Sequence, residues 1–205
     1  MTNAYYPKVI LFDLNGVLVD WDGISPLIVL AKGTLSEEQV RHFYIESPWV
    51  KKFDMGLCSK NDFASGVVDE LKLETSVEEF LEQFIAWDGS IFPGTSKLLD
   101  RLRNRFILAC LSNNNKLHWK SLTEKLDLAE KFDHIFLSFE MGLMKPAKEA
   151  FEHVSHSTGH LAEDILFLDD TQEHVATAKD LGFQAYRVSG ADGVVSILRS
   201  LEIKV

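Results

Sequence analysis

Five short, mostly apolar runs, each closed by residues that turn or cap, recur along this 205-residue chain: Val9–Phe12, Phe106–Leu111, His134–Leu137, Ile165–Leu168 and Gln184–Val188. No other feature restricts the possible folds as much. Runs of this length without polar alternation are how strands buried on both faces read. Between them lie stretches with helical spacing: Ser96–Asn104, Leu117–Leu126, Ala147–His156, Glu173–Leu181 and Val194–Leu201. Gly182 stands where a helix C-cap belongs, directly before a strand. Strands alternating with helices predict an α/β fold built on a doubly wound parallel sheet.

The interval from Asp20 to Asp88 breaks the alternation. Its segments, Ile24–Ala31, Glu37–Glu46, Asp62–Leu71 and Val77–Ala86, all read as helices. Ser36 and Ser76 precede acidic first turns and are expected as N-caps. Gly56 and Gly89 mark turns. The expected organisation is therefore a core of residues 1–19 and 89–205 with an all-α insertion at 20–88. The aromatic residues of the insertion, Phe43, Tyr44, Trp49, Phe53, Phe63, Phe80, Phe84 and Trp87, are expected mostly in the core of a small bundle. One or two are expected to line a ligand's entrance.

Composition removes several classes of function. With 46 % hydrophobic and 25 % charged residues the usage is that of a globular chain, which excludes a disordered or fibrous reading. A net charge of −10 disfavours contact with nucleic-acid phosphates, though not a phosphorylated small molecule in a locally positive pocket. Cys58 and Cys110 are too few for a disulfide framework and lack metal-site spacing. No apolar stretch approaches the roughly 18 residues of a membrane span, and Met1–Lys8 does not read as a signal peptide. A cytoplasmic protein with no membrane partner is the expectation.

Several strands end in residues that carry chemistry. Val9–Phe12 runs into Asp13-Leu14-Asn15-Gly16, and ligands in doubly wound sheets bind just outside the strands' carboxyl ends. Asp13 there is a candidate nucleophile or metal ligand, or else a turn-capping residue. The run ending at Leu111 leads into Ser112-Asn113-Asn114-Asn115, a cluster of hydroxyl and amide donors that could also serve as a polar turn. The run ending at Leu168 leads into Asp169-Asp170. Adjacent carboxylates repel one another unless a cation lies between them and an opposing group, and Mg²⁺ favours such oxygen ligands. Helix capping by Asp170 or Thr171 explains one of the acids, not two. Lys145 precedes Pro146, read as a helix's first residue, and is either a solvated turn lysine or a point charge for a phosphate. His153, His156 and His160 share a helical spacing, but Gly159 is expected to end that helix before the third, which argues against a zinc site.

The order Asp13, Ser112-Asn113, Lys145-Pro146, Asp169-Asp170 resembles the haloacid dehalogenase superfamily, and the likeness spans essentially the whole chain. Leu111–His118, Asp133–Ser138, Met141–Pro146 and Phe167–Asp170 look more narrowly like the bacterial glucose-1-phosphate phosphatase branch. The resemblance implies a Rossmann-like core with a helical cap inserted after the first strand. It implies that Asp13 attacks phosphorus to form an aspartyl-phosphate, which water then cleaves. Mg²⁺ would be held by Asp13, the backbone carbonyl of Asn15, and Asp169 and Asp170. Ser112 and the backbone amide of Asn113 would hold phosphate oxygens, and Lys145 would neutralise charge. The substrate would be a small phosphorylated metabolite, with a sugar phosphate first in line.

One position departs from the commonest pattern of that superfamily, which has an aspartate two residues after the nucleophile. An amide has no titratable proton, so Asn15 cannot act as general acid or base, a role worth roughly 10²–10⁴-fold. Three explanations stand open: Asn15 is natural to an enzyme with activated substrates, it replaces an aspartate in a substrate-trapping variant, or the chain only binds. The hydrolytic dehalogenases also lack an acid at this position. They need no metal, however, and an acidic pair is hostile to a 2-halo acid carboxylate. His118 and Trp119 are expected to pack on a helix face, with a substrate contact as the alternative.

Overall fold

The computed structural model of the chain describes residues 6–87 and 89–205; Met1–Tyr5 and the boundary expected at Asp88 lie outside them. Along the chain run β1 (Val9–Phe12), β2 (Val19–Asp20), α1 (Ile24–Leu30), α2 (Glu37–Glu46), α3 (Pro48–Asp54), α4 (Lys60–Leu71), α5 (Val77–Ala86) and β3 (Ser90–Ile91). There follow α6 (Thr95–Leu102), β4 (Ile107–Ser112), α7 (Lys116–Leu126), β5 (His134–Leu137), α8 (Ser138–Met141) and α9 (Lys148–Thr158). The chain closes with β6 (Ile165–Asp169), α10 (Gln172–Asp180), β7 (Gln184–Arg187) and α11 (Gly190–Ser200).

The five expected strands form one parallel sheet in the order β5-β4-β1-β6-β7. Successive strand residues face opposite sides. Val9 and Leu11 therefore enter one layer with Phe151 and Val154 of α9 and Val175 and Ala178 of α10. Ile10 and Phe12 enter the other, with Leu98, Leu99 and Leu102 of α6 and Val194 and Leu198 of α11. All four residues of β1 are 0 % exposed, which is why the run carries no polar alternation. From β1 the chain winds outward to β4 and β5, then returns past it to β6 and β7 on the other side. The carboxyl ends of β1 and β6 thus flank the point where the winding reverses, the crevice in which such sheets bind ligands.

Helices α1–α5 bury their own core, in which Leu27, Val40, Phe43, Phe63 and Phe84 meet, and Phe53 stacks on Phe63 with ring centroids 4.2 Å apart. Ser36 and Ser76 cap α2 and α5 as expected. Four elements were not expected: β2, β3, α3 and the four-residue α8. The two-residue strands β2 and β3 pair antiparallel where the helical segment leaves and rejoins the sheet. Helix α3 starts on Ser47, whose Oγ accepts from the Trp49 and Val50 amides, with Pro48 in the first turn. Among the described residues no helix is long and apolar enough to cross a membrane.

Candidate active site

The turn after β1 is shaped around Asp13. Its amide donates to Leu168 O at 2.9 Å, continuing the pairing with β6, and its Oδ1 accepts from the Leu14 amide at 2.7 Å. Gly16 has φ +76°, and a Cβ there would collide with the carboxylate of Asp170. Glycine is therefore required twice, by backbone conformation and by the acid packed against the turn.

Lys145 joins the two strand ends. It is 1 % exposed, and its Nζ lies 2.6 Å from Asp169 Oδ2 and 3.0 Å from Asp13 Oδ1. Its backbone is gripped by one side chain: the Lys145 amide donates to Asn113 Oδ1 at 2.9 Å, and Asn113 Nδ2 donates to Lys145 O at 2.8 Å. Pro146 is not the first residue of α9, because the Ala147 amide donates to Met144 O at 3.0 Å. That turn delivers Lys145 to the strand ends before the helix starts at Lys148.

Asp169, at the end of β6, is 0 % exposed. Besides Lys145 it accepts from the Thr171 amide at 2.8 Å, and His174 Nδ1 lies 3.1 Å from both its carboxylate oxygens. Neither Asp170 nor Thr171 caps α10 through its side chain, so helix capping does not account for the acid pair. His174 escaped the sequence reading, since its role arises only when the first turn of α10 folds back over the end of β6. Ser112 is 1 % exposed and its Oγ has no hydrogen-bond partner among the described residues, nor has the buried Nδ2 of Asn114. A buried polar group without a partner is costly, so both are donors that call for an acceptor.

The charges of the site do not balance. Burial works against ionised Asp169, but Lys145 and His174 outweigh it and hold the carboxyl well below the usual range. For Asp13 burial wins over the pull of Lys145, and with repulsion from Asp169 it pushes the carboxyl up to about 7. Burial and the charge of Asp169 raise Asp170 as well. Lys145 is held above its ordinary value by both acids in spite of its burial. One ammonium does not serve three carboxylates, and an all-oxygen set of this kind suits a hard divalent cation. Ligand atoms of Asp13, Asp169 and His174 lie within 4.8 Å of one another. On that side, however, Lys145 and the imidazole already occupy Asp169, which leaves Asp170, against the Asn15-Gly16 turn, as the carboxylate with fewest partners.

Beside this cluster a cavity of about 190 Å³ opens between the sheet's strand ends and helices α1–α5. Its walls include Asn15, Asn113, Asn114 and His118 from the core and Tyr44 and Asp54 from the helical segment. Trp119 instead packs against the apolar core. His153, His156 and His160 stay away from the site; Gly159, at φ +70°, ends α9 before His160.

The sheet order and the crevice at its strand ends together define a protein of the doubly wound α/β class. A family model of haloacid dehalogenase-like hydrolases matches residues 7–182, and the chain belongs to that family. It is similar to the D-ribitol-5-phosphate phosphatase of Bacteroides thetaiotaomicron, 25 % identical over 193 residues, which cover 90 % of this chain and 94 % of the relative. A crystal structure of a haloacid dehalogenase-family enzyme from the same organism, in a magnesium complex, superposes with a TM-score of 0.78 at 23 % identity, covering 94 % of this chain and 98 % of that one. The L-2-haloacid dehalogenase of Xanthobacter autotrophicus shares the fold, with a TM-score of 0.65 at 19 % identity over 97 % of this chain and 85 % of that one.

Proposed function

We propose that the chain is a Mg²⁺-dependent phosphomonoester hydrolase that works through an aspartyl-phosphate on Asp13. The observation that carries this reading is the gathering of Asp13, Asp169 and Asp170 around a single buried ammonium. Such a cluster asks for a divalent cation and a phosphate, and is hostile to the carboxylate of a 2-halo acid. Asp13 attacks phosphorus. Ser112 Oγ and the Asn113 amide hold phosphate oxygens, and Lys145 offsets charge on phosphate and nucleophile. Mg²⁺, held by Asp13, the carbonyl of Asn15 and the acid pair, supplies positive charge against the phosphate oxygens when bound.

The cavity of about 190 Å³ suits a small leaving group, and a second of about 680 Å³, sharing Tyr44, Asn113 and Met144 with it, reaches Lys145. The amide-rich wall of the first suits a hydroxylated leaving group. A relative named for D-ribitol-5-phosphate supports a polyol or sugar phosphate, and the resemblance to the glucose-1-phosphate phosphatase branch supports the same class. In this reading residues 20–88 are a cap over a core of residues 1–19 and 89–205, and the protein works in the cytoplasm.

The test is a screen of polyol and sugar phosphates with Mg²⁺ and with EDTA, alongside Asp13→Asn. The expected outcome is phosphate release that EDTA and Asp13→Asn both abolish. Release of halide from a 2-halo acid in EDTA, or no hydrolysis of any ester, overturns it.

A further inference from the structure

An ester whose leaving group is an alkoxide needs a proton, and the residue at the usual place for giving one is an amide. We propose that Asp54, at the end of α3, is the catalytic acid that protonates the departing oxygen and then the base for the water that follows. The inference rests on the phosphatase reading above. Any group that does this work must face the same cavity as Asn15, and among the described residues three ionisable ones do: Tyr44, His118 and Asp54. The Tyr44 hydroxyl is committed to Gly23 O at 3.1 Å. His118 Nε2 donates to Phe84 O at 2.9 Å. Asn115 Oδ1 accepts from the His118 amide at 3.1 Å, so the Asn115 side chain must present its Nδ2 to the remaining partners. Those are His118 Nδ1 at 3.4 Å and Asp54 Oδ1 at 3.3 Å. Both imidazole nitrogens are thereby engaged, and one oxygen of Asp54 is fixed as an acceptor. An acid that accepts at Oδ1 carries its proton on Oδ2.

The position of Asp54 is set by both layers. Next in the chain, the turn at Gly56 lies against the Phe139 carbonyl of α8 so closely that a Cβ would collide with it. Among the described residues no cation pairs with the carboxyl. Around α3, Glu46 of α2 pairs with Lys51 at 3.2 Å, Asp62 of α4 is tied to Ser59 of its own cap, Lys52 lies over the Trp49 ring and Glu140 of α8 is exposed. Glu70 of α4 accepts from Ser47 Oγ, at the start of α3, at 2.7 Å, and burial raises Cys58 and Tyr44. Burial also pushes Asp54 up to about 7, against the hydrogen bond from Asn115, which is where a group that both gives and takes a proton works best.

The steps balance. Asp13 forms a bond to phosphorus, the bond to the leaving oxygen breaks, and that oxygen takes its electron pair and the proton of Asp54. The carboxylate of Asp54 then takes a proton from water as the water oxygen bonds to phosphorus. The phosphorus–Asp13 bond breaks, and phosphate leaves with Asp13 ionised and Asp54 protonated again.

The experiment compares the whole chain with Asp54→Asn and Asp54→Ser on propyl phosphate, glycerol phosphate and p-nitrophenyl phosphate, with thermal melts to check folding. Propyl phosphate has no further hydroxyl, and p-nitrophenolate leaves without a proton. Both variants should lose about 10²–10⁴-fold in kcat/KM on propyl phosphate, together with the alkaline limb of the pH profile. On p-nitrophenyl phosphate they should still release one equivalent in a burst at near wild-type rate, followed by slow turnover as the phosphorylated enzyme waits for a base. A rise in KM confined to glycerol phosphate makes Asp54 a hydroxyl anchor and overturns the proposal. Equal losses on all three esters, burst included, make it structural and also overturn it. A wild-type chain that hydrolyses none of the three with Mg²⁺ fails the phosphatase reading itself, before Asp54 is in question.

Discussion

Lys145 shows at the scale of one residue how the site and the fold share their energetics. Its ammonium is the partner of two buried carboxylates, so Lys145→Met leaves two charges without compensation. Removing one member of a buried charge cluster costs about 3–5 kcal/mol. Asp169 is ionised in the folded state to below the ordinary carboxylate range, so its stabilising share is present above its unfolded value of 3.8 and is lost only in strong acid. The expected result is a lower urea midpoint for Lys145→Met at pH 8, with the gap to wild type narrowing at pH 5 as the freed carboxyls take up protons. A pH-independent gap would mean that packing of the lysine stem, not its charge, supports the fold. Asp54 acts with the opposite sign. Its folded value of about 7 lies above the unfolded 3.8. Between these the folded chain holds the extra proton, and stability falls as pH rises through the window. Asp54→Asn should flatten that fall, as read from urea midpoints at pH 5 and pH 7.5. Equal slopes in the two proteins would mean that the carboxyl is as well solvated folded as unfolded.

At the scale of elements, the junction of α3 with the core carries its own prediction. Gly56 has φ +70° and sits against the Phe139 carbonyl, whereas Gly142 has φ +66° with nothing near a would-be Cβ. Alanine at either costs about 1–2 kcal/mol for the left-handed conformation, and only Gly56→Ala adds a collision that pries α3 from α8. Gly56→Ala should therefore melt lower than Gly142→Ala and alone raise KM for the ester. Matching melting temperatures and an unchanged KM would mean that the turn simply shifts aside. Elements of this kind also mark what could be read from the sequence. β1 and β6 were legible because strands buried on both faces show as plain apolar runs, and α2 and α5 because serine caps and acidic turns announce them. α3 was missed, although Ser47-Pro48 is an N-terminal signal, because seven residues give too little periodicity to see. β2 and β3, at two residues each, have no pattern at all. Asp13 and the acid pair could be placed because they stand at strand ends, and Lys145 because it precedes Pro146 ahead of a helix. His174 and Asp54 could not, since one acts by folding back over β6 and the other by docking from another layer.

Across the whole molecule the same arrangement becomes a question of charge. The chain carries a net charge of −10 and still brings three carboxylates to the end of its sheet, close to one ammonium. Without a divalent ion these acids repel, and burial together with the charge of Asp169 raises both Asp13 and Asp170. A ligand that binds only the folded state stabilises it by RT ln(1 + [L]/Kd), about 2.7 kcal/mol at 100 Kd. Mg²⁺ should therefore raise the melting temperature beyond what the same ionic strength of KCl achieves. Asp170→Asn separates the two contributions, because the change removes one repelling charge while leaving the bonds of Lys145 to Asp13 and Asp169 in place. In EDTA this variant should be as stable as wild type or more so, yet it should gain less from Mg²⁺. Parallel gains in the two proteins would show that the cation acts by screening the acidic surface, and that Asp170 is no part of its site.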